Sequence, residues 1–570
     1  MAETAVPGDA KPSCFVTSKE FKTWLAGKNS MSAPDNLDFP QTRDDCKFFK
    51  RAEQMFLWVT SRSTHRNQQS YVFESSPFYT VFPLDPEMQQ MIFAQGPSTG
   101  NQSKRASVAI SQRGPQGERV LFSDTGIMHD IVQVEGDRRP VLERNGEKIE
   151  IGRIDIQPDE PPIFYDKQGN LVENPILRES MSGRVIEIKQ PPGNTIVSNG
   201  QPFFLDQSGR AVAAQPGQAD DHVLMAQGSK LVYYMIHAND VYAYFLTGKK
   251  NHKLEQLNVF PSGYKELDLV KKYARHHRMP SFPDERTLIV ELKSSWIELS
   301  SDDEYANYVS IRADVPDFKM VSGGHWQQIG WRRDVKLAMV GMHVVFAVQG
   351  HPELIWATFE HVNNTPNERY RYDADGNQQP WSQQACGPWL FSSGQAEPDD
   401  HPRQCNGITV PACTMHWQTV DATGLCVDAN IPRIYREGSD IYAYDKSIAP
   451  TDVLRISAWG NLEAPTFTAR VISINNSIRR QLAADDVRKK YIMIGAIWRA
   501  NPLTLPGSGG TDCKQSETKG SKCVANSTME TFQQPSNCLF CHKMSPMDML
   551  EGVSHIYKPL NPLFPESPNR

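Results

Sequence analysis

The chain has 570 residues, 39% hydrophobic and 22% charged, with a formal net charge of −6 and a mean hydropathy of −0.51. That length implies about two to four domains of ordinary globular composition. No basic block or stripe stands out, which excludes nucleic acid as a partner. The longest apolar run, Leu337 to Val348, is too short to cross a bilayer and contains His343, so no membrane span is expected.

The first hundred residues read as helical. Lys19 to Leu25 forms a short helix, and Asp44 or Asp45 caps a second one carrying Phe48, Phe49, Ala52, Met55, Phe56 and Val59 at helical spacing, a core stripe rather than a cofactor box. From about 100 to 245 the pattern changes to short strands and turns. Pro162-Ile-Phe-Tyr-Asp-Lys-Gln-Gly-Asn-Leu-Val172 recurs forty residues later as Pro202-Phe-Phe-Leu-Asp-Gln-Ser-Gly-Arg-Ala-Val212, each with Asp and Gly in a hairpin turn. Asn145-Gly146 marks another hairpin. The aromatic run from Leu231 to Phe245 reads as core.

Tyr264 to His277 predicts a short helix, and Thr287 to Leu299 a strand. Val335 to Gln349 and Leu354 to Val362 predict paired strands around a turn at Gly350-His351-Pro352. Asp373-Ala-Asp-Gly-Asn377 resembles a fragment of a calcium loop but lacks the distant glutamate, so it reads as a plain turn. Asp485 to Tyr491 reads as helical and leads into Ile492–Trp498. Pro502 to Lys522 is a Gly-, Ser-, Thr- and Pro-rich linker. The expected fold is α+β and β-rich. Its parts are a helical section over 1–99, a hairpin-rich insertion or small domain over 100–245, a central sheet domain over 246–500, and an irregular, disulfide-tied segment over 501–570.

That last segment holds the most specific pattern in the chain, Cys538-Leu539-Phe540-Cys541-His542. Two cysteines three apart followed by a histidine form the attachment signature of a c-type haem, with thioether bonds from both cysteines and the imidazole as axial ligand. For this composition, chance supplies the pattern about 0.005 times. The competing readings are half a zinc site or a disulfide hairpin; Cys513 and Cys523 stand too far apart to look like the second half of a zinc site. One covalent haem c is therefore expected on Cys538, Cys541 and His542. The other eight cysteines, Cys14, Cys46, Cys386, Cys405, Cys413, Cys426, Cys513 and Cys523, fall in local groups; Cys14–Cys46 and Cys513–Cys523 are plausible pairs, and the four between 386 and 426 permit three connectivities. Disulfides and covalent haem together point to an oxidising compartment, the bacterial periplasm. The start shows no signal peptide, so the sequence is read as a mature form with an initiator Met added.

Only 28 residues follow His542, too few to wrap a haem, so the large preceding body is expected to supply the pocket. For the sixth ligand, Met544 is too close to His542, and Met547 and Met549 are marginal at about 3.5 Å of reach per residue. His555 is far enough along to return to the opposite face. A second constellation lies in the central sheet, where His343, Trp356, Glu360 and His361 occupy the two paired strands. Alternation sets Trp356 and Glu360 on one face and His361 on the other. His343, Glu360 and His361 are the candidate catalytic groups, and His325, Trp326 and Trp331 approach the same block.

Val340-Gly-Met-His-Val, Trp356-Ala-Thr-Phe-Glu-His-Val-Asn-Asn364, Ala525-Asn-Ser-Thr-Met-Glu-Thr-Phe532, the haem motif itself and Ser554-His-Ile556 together resemble a group of bacterial proteins called "cytochrome c family protein". The resemblance covers roughly 287–365 and 495–560. It implies a periplasmic monohaem protein with the haem near the C-terminus, and no particular reaction. The expectation is a haem-dependent oxidoreductase acting with a small-molecule substrate or a redox partner protein. The alternative is an electron-transfer or redox-sensing subunit whose β domain docks the partner. No nucleotide-binding glycine pattern and no Ser or Cys nucleophile signature appears.

Overall fold

A computed structural model describes, with short gaps, residues 6–63, 71–83, 223–392, 464–499 and 518–563, together with short strands between 119 and 212 and scattered elements between 403 and 459. The fold is α+β and β-rich, built on one large sheet. Its strands are β1 (Phe78–Pro83), β2 (Lys230–Asn239), β3 (Val290–Ile297), β4 (Ser310–Ser322), β5 (His325–Val348), β6 (His351–His361), β7 (Tyr491–Arg499) and β8 (Thr518–Gly520). They lie in the order β8-β7-β6-β5-β3-β2-β1, all antiparallel, with Arg119–Ser123 added parallel to β1. The outer half of β5 pairs with β4 as a long ribbon, while its inner half lies between β3 and β6. The sheet thus draws in Phe78–Pro83 and Lys230–Asn239, on the far side of the expected boundaries at 99/100 and 245/246. The expected turn between β5 and β6 is present, with Gly350 at φ +80°, where a side chain would strain the backbone.

Alternation along the strands assigns the two faces. Met342, Val344 and Phe346 of β5 and Ile355, Ala357 and Phe359 of β6 point to one side, into a core shared with α1 (Ser18–Trp24), α2 (Asp45–Val59) and, further along the chain, the helix Pro465–Gln481. Asp44 caps α2, its carboxylate accepting from the Cys46 amide at 3.0 Å. The expected stripe is buried throughout: Phe56 stacks on Phe359 with centroids 4.2 Å apart, and Phe48 on Trp498 at 4.3 Å. Each such pair contributes about 0.5–1.5 kcal/mol beyond its area. The disulfide Cys14–Cys46 ties the segment before α1 to the start of α2.

The opposite face carries Gly341, His343, Val345, Trp356, Thr358 and Glu360 from β5 and β6, with Glu291, Lys293 and Ser295 from β3. It packs α3 (Asp240–Lys250), α4 (Tyr264–His276) and residues of the 520–563 stretch. Asn239 caps α3, its side chain accepting from the Tyr242 amide. Within the rest of the chain, α5 (Pro465–Gln481) was not expected, and Val487–Lys490 is a single 3-10 turn rather than a longer helix. Asp373–Asn377 is a hairpin turn in which Asp373 accepts from the Gly376 amide. Arg144 pairs with Glu147 around Asn145-Gly146, and the two repeats pair at equivalent positions, Tyr165 with Leu171 and Leu205 with Ala211. Cys386, Cys413, Cys513, Cys523, Met544 and Met547 lie outside the described residues. Among those described, no helix is long and apolar enough to cross a membrane.

Candidate functional site

The haem-motif segment reaches the polar sheet face along a run of small polar side chains. At Gly495 and Gly520 a Cβ would collide with Ser521 and with the Ala496 carbonyl, so both glycines let the chain turn closely onto β7. Gly341 does the same for the next stretch, since a Cβ there would stand 2.7 Å from Thr528 Oγ1 and 2.8 Å from Asn526 Nδ2. Asn526 donates to Thr358 Oγ1 at 3.0 Å and to the Phe359 carbonyl at 3.1 Å. Thr528 shares a 2.6 Å hydrogen bond with Ser295, and its carbonyl accepts from Tyr234 Oη at 2.7 Å. Asn526, Ser527, Thr528 and Thr531 are all fully buried. Burying so many polar groups costs stability unless each is matched, and the sheet supplies the matches.

Glu360 holds the centre of this junction. It accepts from the Ser527 amide at 2.8 Å, from the Ser527 hydroxyl, from Asn364 at 3.3 Å, and from Arg455 Nε at 3.3 Å and Nη2 at 2.6 Å. Both members of this ion pair are buried. A carboxylate this fully occupied has no spare lone pair to offer a substrate, and Glu360 serves as a clamp on the segment.

The motif itself forms a one-turn helix, α6 (Cys538–Cys541), closed by a 2.8 Å bond from the His542 amide to the Cys538 carbonyl. One helical turn brings positions 538, 541 and 542 to one face. Leu539 sinks into the apolar cluster, and the half-buried Cys538 thiol donates to the Val524 carbonyl at 3.5 Å. The His542 ring lies between Trp356, centroids 4.0 Å apart, and His555, stacked at 4.1 Å and 20°. Its Nδ1 sits 2.9 Å from the Val553 carbonyl at the end of α7 (Met549–Val553). A carbonyl only accepts, so Nδ1 carries the proton. Burial pushes the imidazole down to about 3, helped by His555 and opposed by the Val553 bond, so the ring is neutral near pH 7 and Nε2 keeps its lone pair.

His343 stands on the same face, opposite Thr358 and diagonal to Trp356. Its Nε2 meets both oxygens of Glu530, at 2.8 and 2.9 Å. Burial alone would raise the Glu530 carboxyl, but the neighbouring His343, Lys293 and the Asn526 amide, 2.9 Å away, hold it below the usual range. The His343–Glu530 pair lies close enough to act electrostatically on His542. Of the residues expected at the site, the structure therefore gathers Cys538, His542, His555, His343, Trp356 and Glu360 around one junction. It does not bring His361 there. His361 is buried on the other face, stacked on Tyr308 at 4.0 Å, bonded to the Asn307 carbonyl and the Asn363 amide, and pushed down to about 3 by burial. His325 stacks on Tyr442 at the far end of the β4–β5 ribbon. The residues unforeseen from sequence are Glu530, Arg455, Glu291, Ser554 and the Val553 carbonyl. Glu530 and Ser554 sit inside segments already quoted around the motif, and an acidic residue eight before the first motif cysteine was a visible signal for the former.

The fit to a c-type haem rests on His542. A proximal ligand needs a neutral imidazole with one nitrogen held by a backbone acceptor and the other open, and His542 Nδ1 is held in this way. His555 stacks face to face on His542, so the two rings lie side by side rather than pointing at each other. As placed, His555 supports the His542 ring and does not oppose it. Among the described residues no three His, Cys, Asp or Glu side chains converge as a metal cage. None of the known protein-family models matches the chain, and no curated protein or solved structure matches it.

Proposed function

We propose that this is a periplasmic c-type haem protein, and a haem-dependent oxidoreductase whose large sheet domain forms the pocket wall. The observation that carries this reading is the His542 imidazole, tied through Nδ1 to the Val553 carbonyl, packed between Trp356 and His555, and seated beside the cysteine pair of the motif. A haem bound there supplies one-electron chemistry at iron. Cys538 and Cys541 fix it covalently, and His542 presents Nε2 to the metal. Trp356 and His555 restrict rotation of the His542 ring. The Val553 carbonyl fixes its tautomer and strengthens the nitrogen as a donor. Glu360, with Arg455, holds the 526–531 segment on the sheet, and so sets where the motif stands.

The oxidoreductase reading draws support from the His343–Glu530 pair. An ionisable pair set on the same face as Trp356 suits a proton donor or acceptor toward a small substrate, which electron transfer alone does not need. One absorption spectrum tests both levels. The purified protein is expected to show a haem that survives denaturation, and an iron that binds carbon monoxide when reduced. Absence of covalent haem overturns the whole reading. A six-coordinate, low-spin iron that ignores carbon monoxide, cyanide and peroxide moves the assignment to an electron-transfer or redox-sensing subunit. Replacing Cys538 and Cys541 together by Ser is expected to abolish covalent attachment.

A further inference from the structure

Three consecutive residues, beginning with the last of α7, each make a different contact at the junction. The Val553 carbonyl holds His542 Nδ1, the Ser554 hydroxyl donates to Glu291 Oε2 at 2.7 Å, and the His555 ring stacks on His542. Because the Ser554 proton is committed to Glu291, the 2.7 Å contact between Tyr242 Oη and Ser554 Oγ must run from tyrosine to serine. Tyr242, Ser554 and Glu291 thus form one directional chain that ends on a buried carboxyl. Among the described residues no Arg or Lys ion pair closes it, in contrast with Glu360 and its Arg455.

We propose that Glu291 is the redox-linked proton acceptor of this site: when a one-electron donor reduces the haem iron from ferric to ferrous, the Glu291 carboxylate takes one proton from solvent and becomes the neutral acid. This rests on the haem reading above. The electron adds one negative charge at the His542 side of the junction, where Val553, the residue before Ser554, holds the imidazole, and a proton on the Ser554-bonded Glu291 offsets it. Burial already pushes Glu291 up to about 7, against the Ser554 hydrogen bond and Lys293, so its charge is set to change near neutral pH. The groups facing it are Lys293 on its own strand, Tyr242 of α3, and Tyr557 beside Tyr242 from the C-terminal segment; His343 follows on β5 opposite Lys293. The Lys293 ammonium leans over the Tyr234 ring.

The test is a potentiometric titration of the haem-loaded protein at a series of pH values, with dithionite as reductant. Above about pH 7 the midpoint potential is expected to fall tenfold-equivalent per pH unit, about 59 mV for one electron. Glu291→Gln is expected to flatten that slope. Ser554→Ala keeps the carboxyl but removes a bond favouring its charged form, and is expected to move the sloping window to higher pH. A wild-type potential independent of pH, a Glu291→Gln protein that keeps the slope, or a Ser554→Ala window that stays in place overturns the proposal while leaving the haem reading standing. A protein without covalent haem removes both.

Discussion

The two faces of the central sheet are made by the same strands in opposite ways. One face is closed by helices α2 and α5 with stacked aromatics such as Phe56 on Phe359, and its fit is a matter of shape. The other receives the 520–563 stretch onto Thr358, Glu360, Ser295 and His343, and its fit is a matter of donors meeting acceptors. Apolar packing tolerates small displacements, whereas a buried hydrogen-bonded network holds only in one register, because each missed partner leaves a desolvated group behind. The aromatic face gives the molecule stability, and the polar face gives one particular segment one particular seat.

Single substitutions separate these roles. Arg455→Ala leaves the buried Glu360 without its cation and is expected to cost about 3–5 kcal/mol. The loss should read out locally, as cleavage within residues 521–531 by a protease that spares the parent. An unchanged digestion pattern would refute the clamp. Phe56→Ala opens a cavity beneath Phe359 and is expected to cost about 3–4 kcal/mol of global stability, with no change at the 521–531 segment; urea unfolding followed by tryptophan fluorescence measures it.

His361 allows a pH comparison. Its folded value, about 3, lies below the ordinary 6.5, so below 6.5 the unfolded chain binds a proton that the folded one refuses. Stability tied to His361 is therefore full above pH 6.5 and is lost as pH falls toward 3. His361→Phe forfeits two hydrogen bonds at pH 7 yet escapes this acid loss. The gap between variant and parent is expected to close by on the order of 2–4 kcal/mol between pH 7 and pH 4. A constant gap would show that the ring protonates in place. Smallest of the four, Gly341→Ala must push Thr528 and Asn526 off β5 and is expected to cost about 1–3 kcal/mol, with a shift in any spectrum of the motif histidine.

Local pattern made much of this legible. The α2 stripe, the β5–β6 hairpin around Gly350, and the paired turns of the two repeats all follow from spacing and turn chemistry. Helix α5 was hidden for a physical reason. Its inner face includes Ser473 and Asn475, whose partners are the distant Cys14 backbone and the two backbone groups of Met493, so its apolar stripe is interrupted by polar residues that only tertiary contacts explain. The site divides in the same way. The turn Cys538–Cys541 with His542 is written in consecutive residues, but Glu530 and Ser554 find their partners 187 and 263 positions away. Glu360 and His361 are neighbours in sequence with opposite destinations, and strand alternation did separate them.

The polar seat also has a consequence in time. The strands whose side chains form it, from β2 to β6, all precede the segment that fills it, and their hydrogen bonds to that segment span separations of 167 to 294 residues. Closing contacts across such separations costs more chain entropy than pairing neighbouring strands, so the motif segment is expected to dock after the sheet has paired, with the acceptors wetted until then. On the haem reading, that interval is when a modifying enzyme can reach both cysteines.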